Sequence, residues 1–139
     1  MLTIEEIREL KQRADYRGII NGVPRRELRR GIPSVEEDDE KLLEVGWAHH
    51  QLGEYGESVP IMEDLSRRYS AETIIGESAR RGMAHGLLQA HGDIERADEL
   101  LREIPPSLAS DNLMMNAMIA KVRKGMKIRV IESEPRYLF

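Results

Sequence analysis

The chain has 139 residues, of which 40% are hydrophobic and 33% charged, and its formal net charge at pH 7 is −4. This length suits one domain with a modest core, and the charge gives no overall positive field that would attract nucleic acid or an anionic membrane surface. Cysteine is absent, which excludes disulfides, zinc–thiolate sites and thiol catalysis. With one Phe, one Trp and seven Met, the core must be mainly aliphatic, which favours an all-α fold.

The first six residues contain two glutamates where a secretory signal would need basic residues and an apolar run. No stretch of the sequence approaches the roughly 18 apolar residues of a membrane span. We therefore expect a soluble cytoplasmic protein.

Residues 1–33 are predicted to form an N-terminal capping helix and a connector. Thr3 and Glu6 have the spacing of a capping box, and an apolar stripe follows that should end near residues 18–22. Residues 24–30 suit one short helical segment, which Pro33 prevents from continuing. The residues of the apolar stripe are Ile4, Ile7, Leu10 and Ala14.

The first helix pair is predicted at residues 34–68. Ser34 and Glu37 make a second capping box, and Gly53 supplies a left-handed end for the first helix. The partner helix should run from about residue 57, because Pro60 is tolerated only in a first turn. Its buried side is expected to hold Tyr55, Val59, Met62 and Leu65.

The second helix pair is predicted at residues 72–105. A long helix should cover residues 72–90, and Asp93 is a suitable N-cap for its partner, which Pro105 and Pro106 end. A third first helix is expected at residues 110–124. Residues 127–139 then alternate apolar and polar and are predicted to form an extended tail.

The sequence repeats itself with a period that is typical of helical arrays. Gly46-Trp47-Ala48-His49 recurs 36 residues later as Gly82-Met83-Ala84-His85, and Ala117-Met118-Ile119-Ala120 follows after a further 35. A single helix pair cannot bury its apolar face alone, so such pairs stack and leave an extended concave surface. The pattern therefore predicts binding on that surface.

These residues resemble the tetratricopeptide repeat (TPR) family over residues 34–126. The resemblance implies antiparallel helix hairpins in a right-handed superhelix and a role in protein–protein contact without catalysis. It rests on Leu42, Gly46, Ala48, Gly53, Tyr55 and Met62 in the first copy and on Gly82, Ala84, Gly92, Ile94, Ala97, Leu101 and Pro105 in the second.

The resemblance also implies a ligand groove, because the residue after the small residue of each first helix faces the concave side in that family. An apolar peptide or helix partner could bind there, since Met adapts to varied shapes and Trp offers a large contact area. The competing interpretation places these side chains in the core, and Gly82 and Gly86 indicate close packing of a partner helix. The groove residues are Leu43, Trp47, His50, Ala79, Met83, Gly86, Leu87, Met114, Met118 and Val122.

Two alternatives to an adaptor remain open. The tail, with Tyr137, Leu138 and Phe139, could cover the groove or pair with a second copy, giving a homodimer or larger assembly. The arginines of residues 25–30 could touch nucleic acid, but the acids of residues 36–40 follow closely, which favours a self-neutralising connector.

Neither catalysis nor a bound metal or other cofactor is expected. The chain has no Gly-rich phosphate loop and no nucleophile motif, and neither of its two histidine pairs, His49 with His50 and His85 with His91, has the i, i+4 spacing of a helical metal site. His49 and His85 occupy equivalent repeat positions and are expected to fill the interface between helices.

Overall fold

The computed structural model describes residues 1–29, 36–90 and 92–105, and within these ranges it contains α-helices and one 3₁₀ turn but no strand. The prediction of an all-α fold is confirmed for this part of the chain. Ser34, the first helix expected at residues 110–124 and the tail at 127–139 lie outside the described residues. The helices are α1 (Ile4–Gln12), α2 (Tyr16–Gly22), α3 (Glu36–Gln51), α4 (Tyr55–Arg68), α5 (Ile74–Ala90) and α6 (Ile94–Arg102), with the 3₁₀ turn at Arg25–Glu27.

The prediction of a single N-terminal helix as far as residues 18–22 is wrong. The capping box of Thr3 and Glu6 is present, but α1 ends at Gln12 and Ala14 adopts a positive φ of 56°. Asp15 then begins α2 by accepting a hydrogen bond from Gly18 N at 2.9 Å. The hydrogen bond of the Asp15 cap favours the start of a second helix over the continuation of α1. The two short helices both pack on α3.

Two longer helix pairs follow, as the repeat predicts. Gly53 and Gly92 connect the helices of each pair with φ of +74° and +62°, which confirms the left-handed end expected at Gly53. Asp93 caps α6 by accepting from Arg96 N at 3.2 Å. Helix α4 begins at Tyr55, two residues earlier than expected, which places Pro60 beyond the first turn on an exposed face.

The two glycines inside α5 lie against α4. A Cβ atom at Gly82 would stand 2.9 Å from Met62 Cε, and one at Gly86 would stand 2.7 Å from Val59 Cγ2. Both distances are shorter than real Cβ contacts. These glycines therefore let another helix approach α5 closely, as expected, but that helix is α4 of the preceding pair and not α6, the partner of α5.

A partly buried ionic cluster joins α3 to the end of α4. The Asp39 side chain, only 2% exposed, forms an ion pair with Arg68 at 2.8 Å and accepts a hydrogen bond from the Tyr69 hydroxyl at 2.5 Å. Arg68 also pairs with Asp64 one turn earlier on α4. Partial desolvation lowers the pKa of Arg68, but the hydrogen bonds to Asp39 and Asp64 outweigh it, so the pKa lies above its ordinary value. The cluster fixes α3 relative to the end of its partner helix.

Gly76, in the first turn of α5, touches backbone. A Cβ atom there would lie 2.0 Å from the Ser70 carbonyl oxygen, and this contact cannot be relieved by rotating a side chain. Thr73 links the same residues, because its hydroxyl donates to Ser70 O at 2.7 Å and accepts from Gly76 N at 3.0 Å. Because Gly76 has no side chain, the Ser70–Thr73 turn can pack directly against the start of the helix.

Gly76→Ala is expected to lower the free energy of unfolding by about 2 kcal/mol, because the turn must move away from the new methyl group. Gly56→Ala is the matched control: nothing lies within 4 Å of a Cβ atom at this helical position. It should be neutral or stabilising by up to about 1 kcal/mol, since alanine restricts the unfolded chain. Urea unfolding followed by circular dichroism measures both, and equal effects would contradict the packing described.

Candidate functional site

Two adjoining clefts lie along one side of α3. The first has a volume of about 500 Å³ and the second about 390 Å³. Both are lined by Leu43, Glu44 and Ile74, so they form one continuous depression, the α3 groove. The first cleft is completed by Lys11, Tyr16, Ile19, Trp47, Ala48, Gln51 and Ser78, and the second by Ile4, Ile7, Arg8, Glu36, Glu40, Tyr69, Thr73 and Ile75.

The floor of the first cleft is apolar and fixed. Leu43 and Trp47 are each 7% exposed and belong to the hydrophobic core, so they contribute one edge to the cleft while packing inside. The Trp47 indole N–H donates to Ser78 Oγ at 2.8 Å, which ties α3 to α5 and sets the orientation of the ring. The floor is thus rigid before any ligand arrives.

Ile74 is the main exposed apolar side chain at the rim. It is 85% exposed, whereas the other exposed large apolar residues in the described ranges, Met1 and Leu52, are 52% and 38% exposed. The Ser70–Thr73 turn and Gly76 hold it at the start of α5, where it borders both clefts. A partner that docks here would therefore cover most of one isoleucine side chain.

Charged residues follow the two sides of the groove. Glu36, Glu40 and Glu44 line it at intervals of one helical turn along α3. Lys11 of α1 forms an ion pair with Glu44 at 3.2 Å. Among the described residues neither Glu36 nor Glu40 has an ion-pair partner, and Arg8 is the cation that lines the same cleft.

The groove residues expected from the TPR resemblance fall into three groups. Leu43 and Trp47 line the first cleft. Met114, Met118 and Val122 lie outside the described residues. The remaining five are buried, and none of them lines either cleft: His50, Ala79, Met83, Gly86 and Leu87.

Sequence reasoning missed the contributions of other elements to this groove. Tyr16 and Ile19 come from α2, which was not foreseen as a separate helix, and Ile74 is the first residue of α5. The sequence gives little signal for Ile74, because it stands next to Ile75 and adjacent apolar pairs such as Leu42 and Leu43 are both buried in this fold.

His50 joins the core through a histidine pair. His85 Nδ1 and His50 Nε2 are 2.7 Å apart, and Tyr55 and Trp47 pack edge-on against the His50 ring at centroid distances of 5.1 and 5.2 Å. Burial, followed by the proximity of His85, lowers the pKa of His50 to about 2, and burial lowers the pKa of His85 to about 4. Both rings are therefore neutral at pH 7. The expectation that His85 fills an interface between helices is confirmed.

His49 and two arginines of the run at residues 25–30 contact nearby carboxylates. His49 Nδ1 lies 2.9 Å from Glu54 Oε1, next to the connection between α3 and α4. Arg29 binds Asp38 through both its backbone N–H and its side chain, at 2.8 and 3.1 Å, and Arg25 lies 4.0 Å from Glu57. The pairing of Arg29 with Asp38 agrees with the self-neutralising connector expected from the sequence.

Within the described residues there is no group of three or more His, Asp and Glu side chains that could hold a metal ion. No described helix combines the length and apolar character that crossing a membrane requires. The chain matches no protein-family model, and neither curated proteins nor solved structures give a significant match.

Proposed function

We propose that the protein is a TPR-like interaction module that binds an apolar peptide or helix of a protein partner in the α3 groove. The observation that carries this proposal is the combination of a rigid apolar cleft with an exposed isoleucine at its rim. The volume of the first cleft, about 500 Å³, lies within the range of roughly 300–1,000 Å³ that is usual for ligand pockets. Exposing Ile74 has no benefit for folding, whereas a docked partner would cover it.

The arrangement of the helices supports the TPR-like part of the proposal. Helix α3 packs on α2, on its own partner α4 and on the next first helix, α5. Helix α5 in turn packs on α4 and α6. This nearest-neighbour pattern is what a stacked array of hairpins requires, and it gives α1 and α2 the position of a short first repeat. The α3 groove then lies on the side where α1, α3 and α5 come together.

Peptide binding can be followed without a label, because Trp47 is the one tryptophan of the chain and lines the cleft. Peptides selected from a displayed random library on the intact protein should change its fluorescence on binding. Ile74→Ala should weaken their binding by roughly tenfold, since about 1.4 kcal/mol corresponds to burying part of an isoleucine side chain.

Leu52→Ala is the matched control, because Leu52 is exposed but lines neither cleft. It should leave the affinity unchanged. Selected peptides that bind wild type and both variants equally would show that the α3 groove is not the binding surface. A homodimer that dissociates on Ile74→Ala, detected by light scattering, would instead favour self-assembly through this face.

A further inference from the structure

We infer that the partner segment is a cationic amphipathic helix, whose apolar side chains meet Leu43, Trp47 and Ile74 while its lysines or arginines face the glutamates of α3. This inference rests on the proposed function and specifies the chemistry of the ligand. It commits to a peptide helix of another protein. Charge complementarity is the observation that favours this occupant over others.

The glutamates on the α3 side form a row that the fold leaves partly uncompensated. Glu36, Glu40 and Glu44 recur every four residues, and at about 1.5 Å per residue the row is roughly 12 Å long. Lys11 neutralises one end by pairing with Glu44. At the other end two carboxylates face a single lining cation, Arg8, with which neither forms an ion pair in the described residues. Among the described residues that line the groove, three carboxylates therefore face two cations.

The helix macrodipole accounts for only part of this row. Acids in the first turn of a helix are stabilised by its N-terminal partial charge, which explains Glu36 as well as the neighbouring acids that follow it. That effect falls off after one turn, and like charges four residues apart repel. Glu40 lies at the fifth position of α3, beyond the first turn, and forms no ion pair in the described residues. Neither the helix dipole nor an ion pair therefore stabilises its charge there.

A helix placed along α3 would match both the spacing and the polarity of the groove. Lysines four residues apart on the ligand repeat at the same interval as the glutamates of α3, and apolar side chains on the adjacent stripe would reach the cleft and Ile74. An acidic peptide or a nucleic acid phosphate would meet the carboxylates of Glu36 and Glu40 and be repelled. The same row thus attracts one class of partner and rejects others.

The test uses two synthetic 18-residue helices that lack aromatic residues, one with leucine and lysine stripes and the other with every lysine replaced by glutamate. The leucine–lysine peptide should change Trp47 fluorescence at micromolar concentration and bind more weakly as salt rises from about 50 to 300 mM. The leucine–glutamate peptide should bind at least tenfold more weakly. Equal binding of the two peptides would overturn the inference.

Two protein variants locate the charge effect. Glu36→Gln/Glu40→Gln should weaken binding of the leucine–lysine peptide by about tenfold, whereas Glu5→Gln/Glu9→Gln removes two exposed acids of α1 at the same spacing and should change nothing. Equal losses in both variants would indicate attraction by net charge alone and would overturn the inference. If the affinity does not depend on the charge of the peptide or of the groove but still falls with Ile74→Ala, the inference is overturned and the proposed function stands. Binding of the leucine–lysine peptide that is insensitive to Ile74→Ala would contradict both.

Discussion

Lowering the pH from 7 to 5 is expected to reduce the free energy of unfolding by about 3 kcal/mol, because His50 and His85 take up protons when the chain unfolds. Their pKa values in the folded protein are about 2 and about 4, below the ordinary histidine value of 6.5. The unfolded chain therefore binds more protons throughout this interval. Stability should be complete above about pH 7, fall as the pH drops through 6.5, and continue to fall towards pH 4, where folded His85 also begins to titrate.

Urea unfolding at pH 7, 6 and 5, followed by circular dichroism, measures this dependence. His50→Gln/His85→Gln keeps two polar side chains at the pair but removes both titrating groups, so its stability should vary much less over the same range. A wild-type protein equally stable at pH 7 and pH 5 would contradict the buried neutral pair. So would a double variant with the same pH dependence as wild type, because the protons would then be taken up elsewhere.

Asp39→Asn is expected to cost about 2 kcal/mol of stability, because it removes a buried carboxylate from its partly exposed arginine partner while conserving the volume of the side chain. Asp39 is 1% exposed, and it compensates Arg68 and accepts the hydrogen bond of the Tyr69 hydroxyl. Asparagine has one accepting oxygen where aspartate has two, and it carries no charge. Arg68 would then keep Asp64 as its remaining ion-pair partner in the described residues.

Glu63→Gln provides the control on the same helix, since it removes the ion pair between Glu63 and the largely exposed Arg67. Exposed pairs of this kind contribute about 0–1 kcal/mol, so the variant should stay close to wild type. Thermal and urea unfolding of the two variants side by side measures the difference. A cost for Asp39→Asn no larger than for Glu63→Gln would show that the ionic cluster does not fix α3 against α4.

The sequence was most informative where local patterns determine structure. The repeated motif and the glycines at positions 53 and 92 predicted the two main hairpins, and the capping residues Thr3 and Asp93 mark helix starts that the structure has. The break at Ala14 was not predictable in the same way. A left-handed alanine has no sequence signature, and only the competing cap at Asp15 makes it favourable.

The site was less predictable than the fold because it is assembled from distant segments. Leu43 and Trp47 were recognised through their repeat positions and do line the groove. Ile74 was missed because its exposure depends on the turn held by Gly76. His50 was expected in the groove, yet it pairs with a histidine 35 residues away, a contact that no helical spacing within one element reveals.

Chemical-shift mapping of the intact protein with the leucine–lysine helix is the decisive experiment, because it locates the bound peptide. We expect the largest changes at the Trp47 indole N–H and the Ile74 and Leu43 methyl groups, with smaller changes at the backbone of Glu36 and Glu40. Changes confined to other surfaces, or none at millimolar peptide, would contradict binding in the α3 groove.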